Sequence, residues 1–254
     1  MGVSLDVLGV LFGVALAAGF IDTLAGGGGL ITIPALMVSG LPPLTALGTN
    51  KLQGCMGTAT ATLIMLRKGR IVWPQVRWLM LTAFAGAVLG TLAVQWIDTA
   101  ALRWVIPLVL LFIAVYFLLA PQPVYDPLRE PKLSARVYRS TVVPAIGAYD
   151  GMFGPGTGSF FALSGVACRG LDLISATAAA KALNFSTNIA SLLVFALAGK
   201  VAWVIGGAMI AGQILGAVLG SRCLLSIDPR YLRLIVVAVS CIMLIKYLLN
   251  LNDG

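Results

Sequence analysis

Apolar runs separated by short polar stretches occupy nearly the whole chain of 254 residues. Apolar residues make up 59% of the chain and charged residues 10%, whereas about a quarter of an ordinary soluble protein is charged. One crossing of a bilayer takes roughly 20 apolar residues, so the chain has room for about eight to ten crossings and little else. The runs cover residues 5–24, 30–39, 44–66, 71–94, 100–120, 141–154, 159–168, 173–198, 201–221 and 231–249.

The charged and reactive residues exclude several other classes of protein. The net charge is +8, but the lysines and arginines crowd into short loops, as in membrane proteins whose basic loops stay cytoplasmic, so we predict no nucleic-acid partner. The absence of histidine removes histidine-based catalytic triads and most zinc sites. The four cysteines lack C-x-x-C spacing. We therefore predict neither an enzyme nor a resident metal or cofactor.

The second half of the chain repeats the first. Asp22 aligns with Asp150 at an offset of 128, and after a two-residue insertion Lys51 aligns with Lys181 at an offset of 130. The segment GAVLG at residues 86–90 recurs unchanged at 216–220, and its glycines are spaced for close helix packing. We predict a first membrane repeat over residues 1–120, a cytoplasmic linker over 121–139 and a second membrane repeat over 140–254.

The basic residues indicate that the two repeats are inserted in opposite senses. The loop at 67–70, taken with Arg77, carries four basic residues and its copy at 199–200 carries one, while the loop at 98–103 carries one and its copy at 222–233 carries three. Because basic loops tend to stay cytoplasmic, the swapped charge bias puts equivalent loops of the two repeats on opposite sides of the membrane. Each repeat then needs an odd number of crossings, and we predict that both termini lie outside. We predict an all-α integral membrane protein of two inverted repeats, each with about five transmembrane segments and with broken or short helices at its Gly-rich motif. Such repeats are the usual architecture of secondary transporters.

The Gly-rich motifs predict interruptions at membrane depth. A glycine costs a helix about 1 kcal/mol relative to alanine, so four in a row break it. Irregular backbone survives in a membrane only when it is buried in protein or lines a wet cavity. A helix that restarts after each break aims free N–H groups and a positive dipole end at such a cavity, which favours anions. Alternatively, the glycines only permit close packing. The residues concerned are Gly26, Gly27, Gly28 and Gly29 in the first repeat and Gly154, Gly156, Thr157 and Gly158 in the second.

Two lysines, Lys51 and Lys181, occupy equivalent places within apolar runs. A lysine inside a membrane segment costs on the order of 3 kcal/mol, so it is treated as functional by default, although either lysine can instead snorkel to an interface. Amide and hydroxyl side chains near both lysines suit an oxyanion ligand. They are Thr49, Asn50 and Gln53 in the first repeat and Asn184 and Asn188 in the second.

The aspartates Asp22 and Asp150 precede the glycine breaks by four residues, one helical turn away. Three roles remain open for them: pairing with the lysines, capping the broken helices, and carrying a coupling proton.

The chain resembles the sulfite exporter TauE/SafE family. The resemblance is carried by DTLAGGGGLITIP at residues 22–34, LGTNKLQ at 47–53, and Asp150-x-x-x-GPGTG with Lys181-x-x-Asn184 in the second half. It implies a multi-pass permease of the bacterial cytoplasmic membrane that moves small sulfur-containing anions, such as sulfite or organosulfonates, by secondary transport. A passive anion channel and a carrier of a non-sulfur organic anion stay open as alternatives. The expected partners are a small anionic substrate, the lipid bilayer and, through small-residue helix faces, a second copy of the chain.

Overall fold

The computed structural model describes residues 4–119 and 131–223, together with Ile245 and Leu249. The last predicted run, at 231–249, otherwise lies outside the described residues, as do Arg230, Arg233 and most of the predicted linker. Within the described ranges the chain forms these helices: α1 (Leu5–Ala25), α2 (Gly29–Val38), α3 (Pro43–Arg67), α4 (Trp73–Gln95), α5 (Thr99–Leu119), α6 (Ala135–Val137), a π-helical turn (Tyr138–Val142), α7 (Val143–Met152), α8 (Thr157–Arg169), α9 (Leu173–Leu197) and α10 (Trp203–Cys223).

Five of the described helices are long and apolar enough to cross a bilayer, which confirms the predicted all-α membrane fold. They lie at Leu5–Ala25, Trp73–Gln95, Thr99–Tyr116, Leu173–Leu197 and Trp203–Cys223. At 1.5 Å per residue, the ten residues of α2 rise about 15 Å, half the thickness of the hydrocarbon layer. The number of crossings in each half stays a prediction.

The closest helix pairs join the two halves of the chain. Helix α1 packs along α10, α4 packs along α7, and α3 packs against α9. A Cβ atom on Gly90 would overlap the carbonyl oxygen of Ala148, and one on Gly216 would overlap that of Leu16. The repeated GAVLG segments therefore allow the backbones of these pairs to touch.

The short helix α2 is enclosed by protein. Leu30, Ile33 and Leu36 belong to the largest buried apolar cluster of the described residues, with side chains from α1, α3 and α5. Since the interrupted backbone before α2 is buried too, its polar groups are kept away from hydrocarbon, where they would be costly.

The end of the predicted linker is helical. Residues 135–139, assigned to the linker from the sequence, lie in α6 and the π-helical turn that leads into α7. The Leu133 amide donates a hydrogen bond to the Cys168 carbonyl at 3.1 Å, and Tyr138 is buried with its hydroxyl 2.9 Å from that of Ser164. These contacts fix the start of α7 against α8.

Candidate functional site: a polar pocket between the two halves

The first glycine break separates α1 from α2. Gly26 ends α1 with a φ of 71°, a left-handed conformation that glycine adopts without strain. The Asp22 carboxylate then accepts a hydrogen bond from the Gly28 amide at 3.2 Å, so it satisfies one of the free N–H groups at the start of α2.

The second break, between α7 and α8, also contains glycines in the left-handed conformation, but its hydrogen bonds differ from those of the first. Gly154 and Gly156 have φ values of 94° and 79°. The Thr157 hydroxyl donates to the Gly154 carbonyl at 2.8 Å, and the Tyr149 hydroxyl donates to the Pro155 carbonyl at 2.5 Å. In place of an aspartate cap, the turn is held by hydroxyl groups.

The two breaks lie against each other. A Cβ atom on Gly26 would overlap the backbone nitrogen of Ser159, and one on Gly29 would lie 3.3 Å from the Pro155 Cα. The Ser159 hydroxyl also donates a hydrogen bond to the Ala25 carbonyl. Close packing, which the sequence left as an alternative to a cavity, therefore explains Gly26, while Gly28 and Gly29 also line a pocket.

Two ion pairs cross between the halves beside these breaks. Lys51 of α3 lies 2.8 Å from the Asp150 carboxylate of α7, and each side chain is only 1% exposed. Lys181 of α9 lies 3.9 Å from the Asp22 carboxylate of α1 and donates a hydrogen bond to the Asp22 backbone carbonyl. Each lysine is thus paired with the aspartate of the other half, which rules out snorkelling to an interface for both.

The pocket opens next to the Lys51–Asp150 pair. About 330 Å³ of space free of protein atoms lies within it, a figure that includes the open space at its mouth. Its lining contains four glycines, one lysine, two aspartates, and six amide or hydroxyl side chains: Asp22, Gly28, Gly29, Asn50, Lys51, Gln53, Gly54, Thr58, Asp150, Gly154, Asn184, Asn188 and Gln213.

Hydrogen bonds hold most of the amides in place. Asn50 accepts from the Thr32 hydroxyl at 2.5 Å and from the Gln53 side chain at 2.9 Å. The Asn188 amide donates to the Asn184 side chain at 3.3 Å. Such bonds fix the orientation of each amide before a ligand arrives, which reduces the cost of binding.

The structure brings together ten of the predicted site residues, and the other seven lie outside the pocket lining. Among the residues outside the lining, Thr49 makes a structural hydrogen bond, since its hydroxyl accepts from the Ala202 amide at 3.0 Å. Lys181 donates a hydrogen bond to the Asp22 backbone carbonyl, and Gly158 packs on Gly26. The seven are Gly26, Gly27, Thr49, Gly156, Thr157, Gly158 and Lys181.

Three lining residues were missed from the sequence. Gly54 and Thr58 are the repeat counterparts of Asn184 and Asn188 at the offset of 130, so the repeat could have located them. Gln213 is a polar residue inside an apolar run, 3% exposed, and its side-chain oxygen has no hydrogen-bond partner among the described residues. Burying an amide in an apolar helix costs free energy, so this glutamine could have been identified from the sequence as a candidate site residue.

The sequence model of the family described as Sulfite exporter TauE/SafE matches residues 11–247. The chain is 43% identical over 246 residues to a Haemophilus influenzae protein named "Probable membrane transporter protein", covering 97% of this chain and 96% of that one. It is 44% identical over 242 residues to "Probable membrane transporter protein YfcA" of Escherichia coli K12, covering 95% and 90%. It is 43% identical over 242 residues to "Probable membrane transporter protein ORF9" of Sinorhizobium sp., covering 95% and 92%. No solved structure matches the chain significantly. With a family match over nearly its whole length, the chain belongs to the sulfite exporter TauE/SafE family.

Proposed function

We propose that this protein is a secondary transporter that moves a small anion across the bacterial cytoplasmic membrane. The observation that carries the proposal is the polar pocket between the two halves, which presents the buried Lys51 ammonium group and several oriented amides. Such a cluster is expensive inside a membrane protein unless it serves a ligand. The names of the bacterial relatives support transport as the task.

Alternating access between two inverted repeats is the mechanism we propose. The repeat aligns α1 with α7 and α4 with α10. The contact between α1 and α10 is therefore the repeat counterpart of the contact between α7 and α4. The crossed pairs Lys51–Asp150 and Lys181–Asp22 correspond in the same way. This correspondence supports a two-fold relation in which the repeats exchange conformations to open the pocket on alternate sides.

Sulfur oxyanions such as sulfite or organosulfonates are the proposed substrates. A lysine supplies a point charge, and primary amides supply N–H donors, a combination that fits an anion with several acceptor oxygens. The sulfur class itself comes from the family description.

A thermal-shift screen of the purified protein tests the substrate class. The screen compares sulfite, sulfate, thiosulfate, sulfoacetate and taurine with carboxylate analogues. A ligand that binds the native state raises the apparent melting temperature by mass action, so at least one sulfur anion should do so. If only the carboxylates raise the melting temperature, the substrate belongs to the non-sulfur organic anions. A shift with none of the anions would contradict anion binding.

Counterflow in liposomes separates a carrier from a passive channel. Vesicles loaded with an unlabelled anion that binds in the screen should transiently accumulate the labelled anion, because a carrier exchanges one for the other. A channel dissipates the gradient without accumulation, and that result would overturn alternating access. Empty liposomes, and liposomes with the Lys51→Met variant, are the controls.

A further inference from the structure

The two crossed ion pairs occupy equivalent places but have different surroundings. We infer that Asp150, and not Asp22, takes up a proton each time an anion occupies the pocket. The inference rests on the proposed function and assigns the coupling ion to it. It also decides between roles that the sequence left open for the two aspartates.

The Asp150 carboxylate depends on Lys51. The two groups are 2.8 Å apart and 1% exposed, and neither Lys51 Nζ nor Asp150 Oδ2 has a hydrogen-bond partner elsewhere among the described residues. A Cβ atom on Gly154 would lie 3.0 Å from Lys51 Nζ, so the glycine leaves the space beside the ammonium group open toward the pocket.

Asp22 is held by other groups. Its carboxylate accepts the hydrogen bond from the Gly28 amide at 3.2 Å and is 13% exposed, while its partner Lys181 donates to the Asp22 backbone carbonyl. Asp22 therefore keeps a stabilising donor if its ion pair weakens, and Lys181, which does not line the pocket, has no direct access to a bound anion.

Charge balance links the anion to a proton at Asp150. The two ion pairs together are neutral, and an anion that binds Lys51 competes with the carboxylate for the ammonium group. A buried carboxylate without its counter-ion is strongly unfavourable and is relieved by protonation. A proton from bulk solvent binds the Asp150 carboxylate when the anion enters and is released when the anion departs. One proton balances one negative charge, so the loaded pocket carries the same net charge as the empty one for a monoanion and one further negative charge for a dianion such as thiosulfate or sulfoacetate.

The other ionisable groups around α7 do not replace Asp150 in this role. Lys51 and Asp22 share the pocket with it, and Tyr149, its neighbour on α7, is engaged with the Pro155 carbonyl. The elements packed against α7 carry Arg77 on α4, Tyr138 and Arg139 in the π-helical turn, Cys168 and Arg169 on α8, and Lys181 on α9. Among these, the lysine is paired with Asp22, Arg77 lies over the Trp78 ring, and Arg169 donates to the Leu133 carbonyl.

Proton uptake on binding is the direct test. Sulfoacetate or thiosulfate is added to the purified wild-type protein in weakly buffered detergent solution at about pH 7, where neither anion changes its own charge. A pH indicator reports the protons and calorimetry reports the bound anion. We expect about one proton for each bound anion. Sulfite is avoided because it titrates near this pH.

The matched variants are Asp150→Asn and Asp22→Asn. Asp150→Asn should bind the anion with no proton uptake, whereas Asp22→Asn should keep the wild-type ratio whatever its affinity. Wild-type binding without uptake, or loss of uptake in Asp22→Asn alone, overturns the inference and leaves transport standing. If neither probe nor any other anion binds, the proposed function fails and the inference with it.

Infrared difference spectroscopy keeps the test independent of whether Asp150→Asn folds. Anion binding to the wild-type protein should produce the carbonyl stretch of a protonated carboxylic acid, and Asp22→Asn should retain this band. Its absence in wild-type protein that demonstrably binds the anion would overturn the inference.

Discussion

The buried pair of Lys51 and Asp150 determines the cost of changing either residue. Lys51→Met leaves the carboxylate without its counter-ion, and removing one partner of a buried pair typically costs about 3–5 kcal/mol of stability. The double variant Lys51→Met/Asp150→Leu, which removes both charges, should recover most of that loss but still fail to transport. Thermal unfolding in detergent and liposome uptake measure the two effects. A double variant as unstable as Lys51→Met would show that the pair is not the source of the loss.

Gln213 is expected to contribute to anion affinity without supporting the fold. Its side-chain oxygen is buried without a partner among the described residues, so Gln213→Leu should cost little stability. Loss of one hydrogen bond donated by its Nε2 amide group to a bound anion, about 1 kcal/mol, should raise the dissociation constant about fivefold. Titration calorimetry with an anion that binds in the screen measures this change. If Gln213→Leu and Gln213→Glu both leave the dissociation constant unchanged, Gln213 lies outside the binding site.

The sequence located the charged residues but not their partners. The repeat brings Lys51 and Lys181, and Asp22 and Asp150, into register, yet it does not say that each lysine meets the aspartate of the other half. That pairing is produced by the packing of α3 and α9 against the opposite repeat. Gln213 has no polar counterpart, since Ala83 stands at its repeat position, so the comparison of halves gave no signal there.

At the scale of helices, glycine contacts between α1 and α10 set how closely the halves approach. A Cβ atom on Gly216 would overlap the Leu16 carbonyl, whereas one on Gly207, on the same helix, would meet open space. Gly216→Leu should therefore force the backbones apart and lower the melting temperature strongly, and Gly207→Leu should not. Overpacking of this kind typically costs about 1–3 kcal/mol or more. Equal melting temperatures for the two variants would contradict the close contact.

The start of α9 gives a pH-dependent effect outside the membrane segments. Asp172 caps the helix by accepting from the Ser175 amide at 2.9 Å, and its hydrogen bonds with Ser175 hold the pKa of its carboxyl below the ordinary 3.8. A lowered pKa means that the ionised cap stabilises the protein above the ordinary value and loses its effect as the pH falls through the folded-state value. Asp172→Ala should cost about 1 kcal/mol near neutral pH and progressively less in acid.

Melting temperatures measured across that pH range test the cap. Asp172→Asn is the control, because asparagine also caps a helix but does not titrate. A difference between wild type and Asp172→Ala that stays constant into acid would contradict the assignment.

Helix positions followed from apolar runs and glycine breaks, but the contact between the breaks did not. The predicted runs at 30–39 and 159–168 correspond to α2 at Gly29–Val38 and α8 at Thr157–Arg169. Glycine lowers helix stability wherever it occurs, so composition marks a break. Whether the freed backbone faces water or another backbone depends on tertiary packing, here that of Gly26 on Ser159.

For the whole molecule, opposite insertion of the repeats is the prediction on which alternating access depends. Gly69 and Gly199 are repeat counterparts with the same φ of 67°, both exposed and with open space around them. Gly69→Cys and Gly199→Cys, each made after the native cysteines are replaced, therefore carry the same local strain. The basic loop at 67–70 should lie in the cytoplasm and the loop at 199–200 outside.

A membrane-impermeant maleimide added to whole cells should therefore label Gly199→Cys directly and Gly69→Cys only after the membrane is opened. The same pattern should persist in any variant that keeps the arginines of the first loop, since their charge sets the orientation. Labelling of both positions from one side would give the two repeats the same orientation. The correspondence between the α1–α10 and α4–α7 contacts would then need a symmetry axis along the membrane normal, and exchange of repeat conformations could not alternate the access to the pocket.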